Sequence, residues 1–575
     1  MKIKKFIPIL EWLPKYNSSL FKDDLVAGIT VGIILIPQGI AYALIAGLPP
    51  IYGLYCALVP QVMYAIFGSS RQVAVGPVAM DSLIVATGVS TLALAGSDSY
   101  ISIAILLALM VGVIQFFMGI FRLGFIVNFL SKPVITGFTS AVALIIGFNQ
   151  FRNLLGVEFV QSDQLQFVLG DIGDQIFGLN EHTTVIGLTS IVLIIIFKKI
   201  NKKIPNALIV VVLGILIMKY FGEQLKGVSI VKDIPSGLPV FSVPDFNIDL
   251  LRELFPIAFT LVMVGYLEII SIGKSLEAKQ DEYRIMPNQE LIALGLSNIV
   301  GSLFKAFPTT SSFSRSAINQ ESGAKTGMAA LISVVMVVIT LLFLTPLFYH
   351  LPKTVLAAII IVAVFGLVNI KEAVFLWKAN LLDFWLMLAT FIGTLLLGIE
   401  FGIIVGVGLS LIVLIFRTSR PYVAELGKVP NSDFYRNRDR FEEVIIEEDI
   451  LIFRFDAQIF YANSSYFRDK LDDMALMKGA SLKLIVFDAE SINRVDSTGV
   501  EMLKERIKFY NKKGIVILFA GVKGPVRDDL FKSGMLSIID VNHFFMRAND
   551  AVKFYKTGDR AQQEKYAKYI HQAYH

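Results

Sequence analysis

The chain is 575 residues long, 55% hydrophobic and only 17% charged, with a net charge of +5. Soluble proteins carry roughly 25% charged residues, so a soluble protein is excluded for most of this length. The modest charge is not interleaved with aromatics, which argues against a nucleic-acid partner; the single cysteine, Cys56, excludes an internal disulfide, and five scattered histidines argue against a metal site.

In chain order, residues 1–23 form a polar, basic tail with no cleavable signal pattern. Residues 24–417 then hold repeated apolar runs, each able to cross a hydrocarbon core of roughly 30 Å. Fourteen segments are predicted. The first seven lie near 25–46, 52–68, 76–93, 100–120, 123–149, 184–200 and 205–221. The second seven lie near 253–273, 286–304, 310–322, 326–348, 353–369, 381–398 and 400–417. Residues 418–440 read as a linker, 441–556 as a soluble α/β domain and 557–575 as a tail.

Short-loop cations set the orientation. Lys2, Lys4, Lys5, Lys15 and Lys22 precede the first segment, Lys198, Lys199, Lys202 and Lys203 follow the sixth, and Lys274, Lys279 and Arg284 follow the eighth. The opposite-side loop 151–183 has one Arg against five acids. Fourteen crossings place every basic loop, and both termini, in the cytoplasm. The expected location is the inner, plasma membrane, in direct contact with lipid.

Segment one carries Pro37, then Gln38 and Tyr42 one turn apart, which can line one cavity. Segment three is preceded by an extended run, Arg71-Gln72-Val73-Ala74-Val75-Gly76-Pro77, and segment ten by Leu303-Phe304-Lys305-Ala306-Phe307-Pro308. Proline tolerates the first turn of a helix and not its interior. Both stretches therefore read as strands running into half-helices, third in their respective sevens. Such paired breaks mark a midplane site between inverted repeats. Helix starts present bare N–H groups and partial positive charge, which suits an anion.

Segment ten adds Ser312, Ser314 and Ser316 as donors, and Arg315 as a fixed planar cation. The competing reading, a cytoplasmic loop over 305–325, leaves an odd number of crossings and exports the soluble domain. Two acids sit inside apolar runs, Asp81 in segment three and Glu268 in segment eight. Intramembrane carboxylates are candidates for carrying a proton, the alternative being structural ion pairs. Glu400, between the last two segments, is expected at the interface. No Gly-x-x-x-x-Gly-Lys-Ser/Thr loop is present, so nucleotide-driven pumping is disfavoured. In the soluble part, strand-like 450–455, 484–488 and 514–520 alternate with helical stretches.

These motifs resemble the SulP sulfate permease family. Ile36-Pro37-Gln38-Gly39-Ile40-Ala41-Tyr42-Ala43 with Leu48-Pro49-Pro50-Ile51-Tyr52-Gly53-Leu54-Tyr55 is similar to its signature. Phe67-Gly68-Ser69-Ser70-Arg71 with Val75-Gly76-Pro77-Val78-Ala79 resembles its third helix, and Phe307-Pro308-Thr309-Thr310-Ser311-Ser312-Phe313-Ser314-Arg315-Ser316 its tenth. The resemblance implies an α-helical polytopic membrane protein of two inverted seven-segment repeats, split into core and gate domains. It implies an anion site lined by Gln38, Tyr42, Val78, Ser314 and Arg315, with Glu268 facing the same pocket; Asp81 departs from the family pattern. It also implies that the soluble part is a STAS domain, whose phosphorylation-site turn Asp496-Ser497-Thr498-Gly499 resembles. The helix-cap alternative for Asp496 or Ser497 stays open.

The expected function is secondary active transport of an inorganic oxyanion, not enzyme catalysis. The reading is sulfate symport with protons by alternating access, needing no cofactor beyond the coupling ion. The alternatives are sodium-coupled bicarbonate symport, anion exchange, passive conductance or a non-transporting sensor. A homodimer and a cytoplasmic regulator at the STAS domain are the expected protein partners.

Overall fold

The computed structural model describes residues 6–125, 131–158, 162, 164–175, 178–200, 206–245, 247–277 and 283–559. Lys2, Lys4, Lys5, Lys202, Lys203 and Lys279, the tail from 560 onward and the Glu400 side chain lie outside the described residues. The chain divides into two compact units, Met1–Ser410 and Leu411–His575.

In the first unit, α1 (Ser18–Ile45) runs 28 residues, about 42 Å, from an Asn17 cap that accepts the Ser19 and Leu20 N–H groups. α2 (Pro50–Tyr55) turns back against it. A side chain at Gly53 would collide with the Gly39 carbonyl oxygen, so these two glycines let the backbones touch. There follow α3 (Val59–Phe67), a two-residue strand β1 (Val75–Gly76), α4 (Ala79–Ser90), α5 (Asp98–Ile120) and α6 (Lys132–Asn149). α7 (Glu181–Ile200) and α8 (Asn206–Phe221) complete the first half.

The second half holds α9 (Ile248–Glu277), α10 (Pro287–Ser302), β2 (Thr310–Ser311) and α11 (Phe313–Glu321). α12 (Met328–Ile339) unwinds into a π turn and a 3-10 turn through Phe348, because Pro346 cannot continue an α-helix. α13 (Lys353–Phe365), α14 (Leu381–Leu397) and α15 (Ile399–Ser419) follow.

Each of the fourteen predicted segments holds a helix. Among the described residues, eight helical spans are long and apolar enough to cross a membrane, and four further apolar helices are shorter. The difference is physical: α11 spans nine residues, about 13 Å, less than half a bilayer core. Besides single-turn helices such as Phe151–Leu155, two longer ones, Leu165–Gln175 and Ile370–Ala379, were not expected; both are only partly apolar.

The second unit is a six-stranded sheet ordered β4-β3-β5-β6-β7-β8. Its strands are β3 (Val423–Lys428), β4 (Tyr435–Asn437), β5 (Ile450–Phe455), β6 (Leu484–Asp488), β7 (Val516–Ala520) and β8 (Phe544–Phe545). The run from β5 to β8 is parallel, with helices between strands. Along β5, Ile450 and Ile452 enter one apolar core while Leu451, Phe453 and Phe455 enter the other. That alternation is the strand period with both faces covered. The stretch 418–440, expected as a linker, holds β3 and β4, whose charged residues hide the strand signal; β3 pairs antiparallel with both β4 and β5.

Candidate functional site

The two predicted breaks meet. Gly76 precedes Pro77 and Phe307 precedes Pro308, and a residue before proline is biased to extended backbone. The resulting strands pair antiparallel, Val75 opposite Ser311 and Gly76 opposite Thr310. Side chains brace the crossing. The Ala74 N–H donates to Ser316 Oγ (2.9 Å), and Asn319 Nδ2 donates to the Gln72 carbonyl (2.9 Å). Each strand runs into a half-helix: Val78 opens α4 with no side-chain cap, and Ser312 opens α11 by accepting the Arg315 N–H at 3.4 Å.

α10 braces β2 and the stretch that leads to β1, through residues the sequence reading did not single out. Asn298 Oδ1 accepts the Thr309 N–H (2.8 Å) and its Nδ2 donates to the Thr309 carbonyl (3.0 Å) and to Gln115 Oε1 (3.1 Å). Eight residues earlier, the buried Glu290 accepts the Ser69 N–H (2.8 Å) and the Tyr64 hydroxyl (2.7 Å). A polar pair inside an apolar segment was the available signal.

A cavity of about 640 Å³ reaches this crossing from one end of the unit. Val26, Thr30, Ile34 and Gln38 line it from α1, four residues apart on one helical face. They span about 18 Å of helix, from the open end to the floor. Ser314 lines the same cavity from α11, and Lys198 stands at its mouth at the end of α7. Across from α1, α13 contributes Ile359, Val362 and Ala363.

Behind Gln38 lies Arg315, which is 0% exposed. One guanidinium nitrogen, Nη1, donates to Gln38 Oε1 at 3.3 Å; Nε and Nη2 have no hydrogen-bond partner among the described residues. Gly76 leaves the room for it: a Cβ there would stand 3.3 Å from Arg315 Nη2. Tyr42 is buried and interacts electrostatically with Arg315 and Glu268. Asp81, in the first turn of α4, is buried with Oδ1 unbonded, and Ser82 Oγ beside it is also unbonded. Glu268, on α9, has a buried, unbonded Oε2 and interacts electrostatically with Asp81 and Arg315. Arg315 forms its bond with Gln38 and not with Asp81.

Gln38, Tyr42, Asp81, Glu268 and Arg315 thus come together, with Val78, Ser312 and Ser314 at the two helix starts. The arrangement offers an anion two buried guanidinium donors and two helix N-termini, with two carboxylates beside them.

The remaining three predicted residues belong to the second unit. Asp496 uses both carboxylate oxygens: Oδ1 caps the helix Ser497–Lys512 through the Gly499 N–H (2.8 Å), and Oδ2 accepts the Tyr461 N–H (2.9 Å). Ser497 and Thr498 are exposed. Nearby, burial pushes the Asp488 carboxyl up to about 6, with the Glu490 N–H at 3.2 Å partly opposing the shift.

Residues 21–390 match the sulfate permease family and residues 443–551 the STAS domain. A protein of Arabidopsis thaliana named sulfate transporter 4.1, chloroplastic, is 39% identical over 569 residues, covering 96% of this chain and 82% of that protein. High affinity sulfate transporter 2 of Stylosanthes hamata is 33% identical over 574 residues, covering 96% of this chain and 87% of its own. Among solved structures, the murine Slc26a9 anion transporter in its inward-facing state superposes with a TM-score of 0.89 at 28% identity, covering 96% of this chain and 94% of that one. The chain belongs to the sulfate permease family of membrane anion transporters and carries a C-terminal STAS domain.

Proposed function

We propose that this protein is a proton-coupled symporter of an inorganic oxyanion, sulfate first among them, working by alternating access. The observation that carries the proposal is Arg315: a fully buried guanidinium with two nitrogens unbonded among the described residues, directly behind Gln38, which lines the cavity. Unmet buried donors of a charged group cost more than about 1–3 kcal/mol, and an oxyanion relieves that cost. The family relatives named sulfate transporters support the choice of sulfate.

A divalent anion entering against an inside-negative potential costs about 2.3 kcal/mol per charge per 100 mV, so accumulation requires co-moving positive charge. Glu268 and Asp81 supply places for it. An anion at Arg315 offsets the guanidinium field at Glu268, so anion and proton bind cooperatively, and each tightens the other by the same factor. The basic loops favour both termini in the cytoplasm of the plasma membrane. The second unit is proposed to help hold a homodimer, with Ser497 and Thr498 open to a regulator.

The test is uptake of radiolabelled sulfate into proteoliposomes, against an anion panel, under imposed pH or sodium gradients. Accumulation driven by a pH gradient is expected. Accumulation driven by sodium alone, with bicarbonate preferred, would replace the proposal with sodium-coupled bicarbonate symport. Equilibration without accumulation would make the protein an exchanger or passive conductor.

A further inference from the structure

The face of the first unit opposite the cavity mouth is closed. There Ala41, Leu44 and Ile45 of α1 meet Leu356, Ala357 and Ile360 of α13, around a void of only about 10 Å³. Lys353, at the first position of α13, borders this void together with Gln150 and Asn153. It lies six residues, about 9 Å, beyond the Ile359 that lines the open cavity.

Two more cations gather at Lys353. The backbone places one: Lys353 N–H donates to the Ser229 carbonyl (2.9 Å), and Lys232 N–H to the Tyr349 carbonyl (3.1 Å), so chain 229–232 runs beside 349–353. Lys232 holds a left-handed φ of 65°, a conformation unusual for a lysine. The other is Arg152, in the short helix Phe151–Leu155, whose Leu154 carbonyl accepts the Thr354 hydroxyl at 3.4 Å. Among the described residues, the charged groups that act on Lys353 are Arg152 and Lys232, both cations. Asp233, next to Lys232, forms no ion pair with any of the three among the described residues. Like charges held together repel, and an anion among them relieves that repulsion.

We propose that Lys353, Arg152 and Lys232 form a second anion site: an outer antechamber that captures an inorganic oxyanion before the α1–α13 contact opens to Arg315. The proposal rests on the transport reading above for its place on the route, but not for the binding itself. Focused positive potential raises local anion concentration and the on-rate, and salt screens it.

The test presents radiolabelled sulfate to sealed vesicles at the Lys353 face or at the opposite face. Lys353→Gln, and separately Arg152→Gln, should raise KM from the Lys353 face by about tenfold at low ionic strength, with kcat unchanged and the effect shrinking in salt. KM from the opposite face should not move, and Lys353→Arg should keep the wild-type value. An unchanged KM in Lys353→Gln, where wild type takes up sulfate, overturns the antechamber. If wild type moves no sulfate, the transport reading fails by itself and a second measurement decides. The acetylation rate of Lys353 by acetic anhydride, which transfers its acetyl group to the amine and releases acetate, is followed with and without sulfate, in wild type and in Arg315→Gln. Protection by sulfate in both supports a separate site; no protection in either, or protection lost with Arg315, overturns it.

Discussion

Two helix starts in this protein are built from nearly the same chemistry. Ser312 opens α11 by accepting an N–H from the third residue on, Arg315, and Asp496 opens the helix Ser497–Lys512 by accepting from Gly499. Both lie in short hydroxyl-rich runs. Around Ser312 the neighbouring polar atoms are buried and unmet: Ser311 Oγ, Arg315 Nε and Arg315 Nη2. Around Asp496 the second carboxylate oxygen is taken by Tyr461 and the adjoining hydroxyls face solvent. An unmet buried donor costs about 1–3 kcal/mol, whereas a satisfied cap contributes about 1 kcal/mol. The first turn is therefore strained toward a ligand, and the second is complete as folded. Composition does not separate a site from a cap; the balance of burial and bonding does.

The comparison breaks most readily at Arg315. Arg315→Ala should weaken anion binding by about 100-fold, since two charge-assisted hydrogen bonds go with it, and Arg315→Lys should recover part of the loss. Equilibrium binding to the folded variant measures this; unchanged affinity would mean the unmet donors serve something else. Glu268→Gln comes next. It should bind anion with little pH dependence and lose uphill uptake while retaining exchange down a gradient. If pH-driven accumulation survives, the proton travels elsewhere, with Asp81 the next candidate.

In the second unit the effects are on stability. Asp488 has its carboxyl raised to about 6 by burial, against about 3.9 in an unfolded chain. The folded state therefore holds more protons than the unfolded state between these values. Its contribution is present below about pH 4 and lost as pH rises through about 6, by about 3 kcal/mol. Melting the protein across that window, beside Asp488→Asn, should show the slope vanish from the STAS transition of the variant. Asp496→Ala should cost that transition about 1–2 kcal/mol, while Ser497→Ala should change it by less than about 0.5 kcal/mol. A large effect of Ser497→Ala would erase the contrast between the two turns.

Much of this was legible in the sequence. Fourteen apolar stretches, two prolines after extended runs, and an arginine among serines led to α4, α11 and Arg315 directly, because polar residues in apolar surroundings are costly and so stand out. Gln38 was legible for the same reason. Asn298 and Glu290 satisfied the same criterion and were passed over, because their partners, among them Gln115, Thr309, Tyr64 and Ser69, lie in distant or irregular stretches and include backbone groups that no side-chain pattern reports. Lys353, Arg152 and Lys232 were illegible for another reason: two helix ends and a loop, far apart in sequence, bring them together. β3 and β4 were hidden because neither holds an apolar run: Glu425 and Lys428 interrupt β3, and β4, at the sheet edge, is only three residues long.

The stripe of Val26, Thr30, Ile34 and Gln38 has an electrical consequence. Water in the cavity conducts, so an imposed membrane voltage does not fall evenly over the roughly 30 Å of hydrocarbon. It falls across the dry contact between Gln38 and Ile45, seven residues or about 10 Å of α1. The local field there is about threefold steeper than in the surrounding bilayer. An anion or a guanidinium shifting by a few ångströms at Arg315 then traverses a large share of the total potential, worth about 2.3 kcal/mol per charge per 100 mV. Under the transport reading proposed above, a small rearrangement of α1 against α13 is enough to make anion movement strongly dependent on voltage.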